Sequence, residues 1–235
     1  MFVFTLEVIT PASSNDCDRR WLILASSLSI FQTLSTLLAG WFFTDNIRAI
    51  SLFNFGGANV IAQGAIGFTL TSFVAYWWHR AMHKSDFLWR TFHQLHHSPK
   101  RIESLTAFYL HPFDAIAATL LNGICCYTIL GLNAYGCAIS LLGAAIYNIF
   151  IHADLKTPYW LGYVIQRPEM HRVHHKHMVH KQNYGLACFD LLFGTFENPK
   201  EYVTEVGFDK IRENRIYDML MTKDVYLSKR QTTLD

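Results

Sequence analysis

Residues 59–84 read NVIAQGAIGFTLTSFVAYWWHRAMHK. The first part, Asn59–Trp78, carries no charged side chain. Its length matches the roughly 30 Å hydrocarbon core of a bilayer. The run closes on Tyr76, Trp77 and Trp78, aromatics that favour the membrane–water interface. His79 and His83 follow at once. Residues four apart lie on one face of a helix. The stretch therefore reads as a membrane helix that leaves the bilayer still helical and presents two imidazoles side by side.

Three more apolar stretches lie around it. Trp21–Phe43 has no charge, Phe113–Gly131 is interrupted only by Asp114, and Ala134–Ile151 is again uncharged. The composition agrees. The chain is 51% hydrophobic and only 16% charged, against about 25% charged in a soluble domain. A chain of 235 residues is too short to wrap four such helices in polar structure. The expected fold is all-α: a four-span membrane domain with a helical cap on one side. Gly64, Gly67, Gly123, Gly136 and Gly143 fall inside the spans, where small residues let membrane helices approach closely. The expected organisation is an N-terminal segment over 1–20, the membrane domain over 21–200, and a polar helix or tail over 201–235. The last part, about 209–235, is expected to be solvated.

Charge sets the orientation. Of 20 Lys and Arg, only Arg48 lies between the first two spans. The others fall before the first span, in 79–112, or after 151. Four alternating spans bring those three regions to one face. By the positive-inside rule that face is cytoplasmic, and both termini share it. The five cysteines form no C-x-x-C pair, and no disulfide framework is expected.

Every histidine cluster lies on that same face. All 12 histidines fall between His79 and His180. His79 and His83 form H-x-x-x-H. His93, His96 and His97 form H-x-x-H-H, and His171, His174 and His175 repeat it. Pro168 and Glu169 mark a helix start before the last group. Neutral imidazole is the commonest metal ligand. Eight convergent rings exceed what one ion takes, so two metal ions are expected. Imidazole alone leaves iron, zinc, copper and nickel open. The Glu-x-x-His of soluble di-iron bundles and the His-Glu-x-x-His of zinc proteases are both absent.

These boxes resemble the signature of the fatty acid hydroxylase superfamily, also called the sterol desaturase family. Tyr76-Trp77-Trp78-His79-Arg80 is similar to its first box, and His93 through Pro99 to its second. Leu110-His111-Pro112, Ile151-His152-Ala153-Asp154, Asn183-Tyr184-Gly185 and Asp190 through Thr195 resemble its further motifs. The likeness covers about residues 60–200. It implies that His79, His83, His93, His96, His97, His171, His174 and His175 hold two iron ions, with His152 as a ninth ligand. Zinc is possible in a purified form. It also implies an oxidoreductase that uses dioxygen to hydroxylate or desaturate a lipid. Lys156 stands where the fatty acid 2-hydroxylase branch has another histidine, so the chain departs from that branch.

The remaining residues supply context. Phe73, Tyr76, Trp77, Trp89, Phe92, Phe108 and Tyr109 are candidates to line a lipid pocket or to anchor at the interface. Asn183, Asp154 and Asp190 are candidates to accept ring N–H bonds from the histidines. His111 is a ligand, a brace or a structural residue, while His177 and His180 are expected outside the site. The chain has no G-x-G-x-x-G and no iron–sulfur cysteine set. Electrons are therefore expected from a separate carrier, cytochrome b5-like or ferredoxin-like. Arg80, Lys84, Lys100, Arg101, Arg172, Lys176 and Lys181 either steer that carrier or express the positive-inside bias. No nucleic-acid partner is expected. The membrane would be the endoplasmic reticulum in a eukaryote or the inner membrane in a bacterium. Two other classes remain: a zinc-dependent membrane lipid hydrolase and a non-catalytic metal-binding membrane protein.

Overall fold

The structure is a computed structural model that describes residues 2–13, 19–46, 51–177, 179 and 181–226. Arg48, Cys17 and His180 lie outside the described residues. Ten α-helices form: α1 (Phe2–Ile9), α2 (Arg19–Asn46), α3 (Val60–Lys84), α4 (Asp86–Leu88), α5 (Pro112–Gly123), α6 (Ala134–His152), α7 (Pro168–His174), α8 (Ala187–Leu192), α9 (Lys210–Glu213) and α10 (Ile216–Leu220). A π-helical turn, Trp89–His93, follows α4, and another, Ile124–Ile129, extends α5. No strand forms among the described residues. An isolated antiparallel bridge pairs Lys176 with Val206.

The four expected spans are found, and the chain is an integral membrane protein. Helices long and apolar enough to cross a bilayer are Arg19–Phe43, Val60–Lys84, Pro112–Ile129 and Ala134–His152. Local chemistry sets their ends. Asn59 caps α3 by accepting the Ile61 N–H at 2.9 Å. Asn133 caps α6 through the Gly136 N–H at 3.0 Å. Pro112 opens α5, and the His111 ring accepts the Phe113 N–H at 3.1 Å. The α5–α6 turn needs Gly131, whose φ is +62°.

Helices α3 and α6 form the most extensive pair. Their approach depends on small residues, as the glycines predict. A Cβ at Gly64 would lie 2.2 Å from the Ile139 side chain, and one at Gly136 2.6 Å from Gln63. Gly123 gives the same close approach to Phe43. Gln63, fully buried at the far end of α3, is satisfied. Its amide donates to Ala58 O at 2.7 Å and Gly56 O at 3.1 Å, and its Oε1 accepts the Asn133 N–H at 3.0 Å.

The cap closes over the other end. Glu7 of α1 is buried there and accepts the Ser104 N–H at 3.0 Å. Ser13 donates through its hydroxyl to Asp154 at 2.7 Å. The N-terminal segment therefore lies on the histidine side of the spans. Of the stretch expected to be solvated, 209–235, the described residues as far as Tyr226 dock on the cap instead. Phe208, Met219 and Val225 are fully buried with Trp21, Trp89, Leu95 and Tyr109. Gln94 fastens the segment by donating to Lys223 O at 2.6 Å and accepting the Val225 N–H at 3.2 Å. Hydrophobic residues spaced among charges let this stretch cover the cap core, while Ile211, Tyr217 and Met221 stay exposed.

Candidate metal centre

Helix α3 carries His79 and His83 one turn apart at its cap end. The π-helical turn and the coil after it present His93, His96 and His97. His152 ends α6, while α7 and its C-cap carry His171, His174 and His175. All nine converge in two sets. The first is His79, His83, His93, His97 and His174; the second is His96, His152, His171 and His175. Within each set the ligand nitrogens lie within 4.8 Å of one another.

The two H-x-x-H-H boxes are crossed between the sets. Each box gives its first and last histidine, one helical turn apart, to one set. Its middle histidine, on another side of the turn, goes to the other set. His97 and His175, from opposite sets, stack at 4.1 Å with planes 18° apart.

The tautomers follow from the outer ring nitrogens. A backbone carbonyl can only accept, so a ring nitrogen bonded to one carries the proton. His79 Nδ1 donates to Tyr184 O at 2.7 Å, and His174 Nδ1 to Gln182 O at 2.7 Å. His152 Nδ1 donates to Asn148 O at 2.8 Å, and His96 Nδ1 to Tyr109 O at 3.3 Å. His93 Nδ1 donates to Asp114 Oδ2 at 3.3 Å. Each neutral ring then points an Nε2 lone pair inward. Burial holds the His93, His96, His171 and His175 rings well below the ordinary histidine pKa, and neighbouring imidazoles add to the effect.

Inward lone pairs meet at short range. Nε2 to Nε2 is 2.9 Å for His79 and His93 and 3.2 Å for His96 and His152. No proton remains to bridge such pairs, so bare they repel. Two nitrogens about 2.1 Å from one ion, at a right or tetrahedral angle, stand roughly 3.0–3.4 Å apart. The donor set and its spacing fit a cation in each set.

The bracing residues differ from expectation. Asn183, Asp154 and Asp190 accept no ring N–H bond among those found. Asp154 instead accepts from the Ser13 and Tyr202 hydroxyls and pairs with Arg172, while Asn183 and Asp190 act on backbone. Asn183 donates to Met170 O and Glu197 O, both at 2.8 Å. Asp190 accepts the Tyr184 N–H at 2.8 Å and the Gly185 N–H at 3.2 Å. Together they shape the 182–185 loop, whose carbonyls hold His79 and His174. Gln182 and Asn183 have φ of 62° and 49°, the left-handed region that non-glycine residues adopt at a cost. Asp114 was legible only as a charge inside an apolar run, which is itself a signal of function in a membrane helix.

Other expected residues separate. His111 caps α5 and donates to Leu220 O at 3.2 Å. His177 donates to Gly207 O at 2.8 Å. Neither joins a set. Arg172 is fully buried over the Tyr202 ring, 4.4 Å from its centroid, and so is no surface cation. Arg80 packs on Tyr76 and Trp77. Of the expected aromatics, Tyr76 lines the cavity beside the histidines, and Phe108 lines a deeper one. Phe73 and Trp77 pack instead on Phe193 of the cap, and Trp89 packs on His83 and His97. Phe92 packs on Trp78, and Tyr109 stacks on Trp21.

The cavity measures about 200 Å³. His79, His93, His96, His152, His171 and Leu186 face it from the cap, and Phe68, Ala75, Ala118 and Ala144 from the membrane side. Four-span helical architecture, crossed histidine sets and this cavity define a membrane protein built around a histidine-rich metal centre. The profile of the fatty acid hydroxylase family matches residues 64–195, more than half of the chain. The chain belongs to that family. It is 32% identical over 154 residues to an ornithine lipid hydroxylase of Rhizobium tropici, covering 62% of this chain and 45% of the relative. It is 26% identical over 226 residues to a very-long-chain aldehyde decarbonylase of Oryza sativa subsp. indica, covering 87% of this chain and 34% of the relative. The chain spans less than half the length of these curated relatives. No solved structure matches it.

Proposed function

We propose that this protein is a membrane oxygenase that hydroxylates or desaturates a lipid, using dioxygen and electrons from a separate carrier. The observation that carries this reading is the pair of neighbouring Nε2 sets opening on a cavity between membrane helices. One iron would be held by His79, His83, His93, His97 and His174, and the other by His96, His152, His171 and His175. Bound iron supplies dioxygen activation and removal of hydrogen from an unactivated C–H bond.

The chain's own residues do the rest. The Nδ1 bonds to Tyr184 O, Gln182 O, Asn148 O, Tyr109 O and Asp114 fix ring orientation, which keeps the inward lone pairs aimed. Tyr147 donates to Gly185 O at 2.8 Å and steadies the same loop from α6. Phe68, Ala75, Ala118 and Ala144 give an aliphatic chain an apolar path from the bilayer and keep bulk water out.

The relatives support a lipid substrate: one is named for hydroxylating a lipid, another for acting on very-long-chain aldehydes. The positive-inside charge pattern supports a cytoplasmic cap, where a cytochrome b5-like or ferredoxin-like carrier has access. A zinc hydrolase is disfavoured by the lining of the cavity. Its one carboxylate among the described residues, Asp114, is engaged by His93.

The test compares lipid extracts of cells carrying the intact chain, His174→Ala, or neither. The intact chain should produce a lipid species heavier by one oxygen or lighter by two hydrogens. Extracts that do not differ would overturn the reading.

A further inference from the structure

The cavity at the histidines adjoins a deeper one of about 450 Å³, walled by α2, α3, α5 and α6. The two share Thr71, Ala75, Trp78, Ala118, Ala144 and Asn148. The deeper walls carry the polar groups Gln32, Thr33, Thr36, Thr119 and Asn122 among apolar ones, with Thr71 and Asn148 at the junction. A helix rises about 1.5 Å per residue, so Thr71 stands about 12 Å below His79, and Thr119 about 8 Å beyond Asp114. The polar group therefore lies well inside the bilayer, along the path an aliphatic chain would follow from the histidines.

Polar groups at that depth need partners within the protein. Gln63 shows what a satisfied one looks like, with bonds of 2.7–3.1 Å. The cavity group differs. Gln32 Nε2 reaches Thr36 Oγ1 at 3.4 Å and Thr119 Oγ1 at 3.5 Å, and the two threonine hydroxyls stand 3.4 Å apart. Thr71 reaches Asn122 Oδ1 at 3.4 Å. These contacts are longer than good hydrogen bonds. Gln32 Oε1 is buried and accepts no bond. The Thr119 hydroxyl donates to Ala115 O at 2.8 Å, so what is missing beside the cavity is a donor to Gln32 Oε1 and an acceptor for the Thr36 hydroxyl. A hydroxyl does both.

We infer that the inner end of this cavity is a hydrogen-bonding subsite for a lipid hydroxyl. Gln32 Oε1 accepts its proton, and the Thr36 hydroxyl donates to its oxygen. The substrate is then a long-chain lipid whose hydroxyl lies about 8–12 Å from the carbon presented to the histidines. This deepens the oxygenase reading and rests on it for the reacting carbon. The subsite itself requires only that lipid occupies the cavity.

The test uses the full chain in lipid nanodiscs and two photoreactive probes: a diazirine-bearing long-chain alcohol and its methyl ether. The ether keeps the oxygen but loses the donor. After illumination, labelled peptides are mapped. The alcohol should label the walls around Gln32 and Thr119 about 5- to 10-fold more than the ether. Gln32→Leu should bring the alcohol down to the ether's level and leave ether labelling unchanged, and Thr36→Val should narrow the difference. Equal labelling in the unaltered chain, absence of labelling by both probes, or a preference that survives both substitutions would overturn the subsite. No turnover is involved. A clear alcohol preference in a protein that never oxidises lipid would sink the oxygenase reading alone.

Discussion

His97 and His175 stack at 4.1 Å, although each is the last residue of a different box and belongs to a different nitrogen set. The stack joins the two sets into one body. It follows from crossing: the i, i+4 pairs His93/His97 and His171/His175 each serve one set, while His96 and His174 reach across.

Crossing makes double substitutions informative. His174→Ala with His93→Ala removes two ligands from one set and should leave half of the bound metal. His174→Ala with His171→Ala removes two residues of the same box but one from each set, leaving four histidines in one and three in the other, and should loosen both ions instead of emptying one set. Metal content per chain, measured by elemental analysis after gel filtration, decides. The reverse pattern would mean that each box serves its own ion.

Asp114 should matter more than its place in an apolar helix suggests. Its carboxylate accepts a hydrogen bond from His93 Nδ1 at 3.3 Å. Asp114→Asn should weaken metal retention about 10- to 100-fold, read by competition with a chelator. A variant that holds metal as tightly as the original would remove Asp114 from the centre.

The spans and boxes were legible because both are local. An uncharged run of membrane length and a four-residue histidine spacing need no knowledge of the fold. The sharing of each box between two sets was not legible, because it depends on how α7 meets the π-helical turn. The bracing partners were mostly hidden for another reason. Tyr109, Asn148, Gln182 and Tyr184 act through backbone carbonyls, which every residue has. Asn183, Asp154 and Asp190 were noticed as polar residues near the boxes, but Asn183 and Asp190 shape a loop and Asp154 pairs with Ser13, Tyr202 and Arg172 rather than touch rings. The C-terminal segment misled through its charge. Phe208, Met219 and Val225 are few, yet they complete the cap core.

That docking should show in stability. Gln94→Ala deletes the bonds to Lys223 O and Val225 N. Losing the two bonds should cost about 1–3 kcal/mol. Thermal unfolding in detergent, followed by circular dichroism, gives the value, and proteolysis should begin sooner in the C-terminal segment. An unchanged transition and cleavage pattern would show that the segment does not depend on Gln94.

Asp190 predicts a pH effect. Burial, the largest cause, pushes its carboxyl up to about 6, above the unfolded value near 4. A raised carboxyl favours the folded state in its protonated form. That stability is complete below about pH 4 and is lost as pH rises through about 6. Asp190→Asn lacks the charge, so it should gain on the original chain by on the order of 2 kcal/mol from pH 4 to 7. The loss of an acceptor for Gly185 gives a constant offset, so the slope is the readout. A difference in melting temperature that stays flat with pH would refute the assignment.

The central claim is that the histidine sets hold metal that oxidises lipid with dioxygen. The direct measurement supplies the purified, iron-loaded full chain with a reductant, a membrane lipid extract and isotopically labelled dioxygen, and follows oxygen uptake and lipid mass together. The account predicts oxygen consumption coupled to a lipid that gains one labelled oxygen atom or loses two hydrogens. A lipid product that forms equally without oxygen, and takes its new oxygen from water, would contradict it and favour a metal-dependent hydrolase.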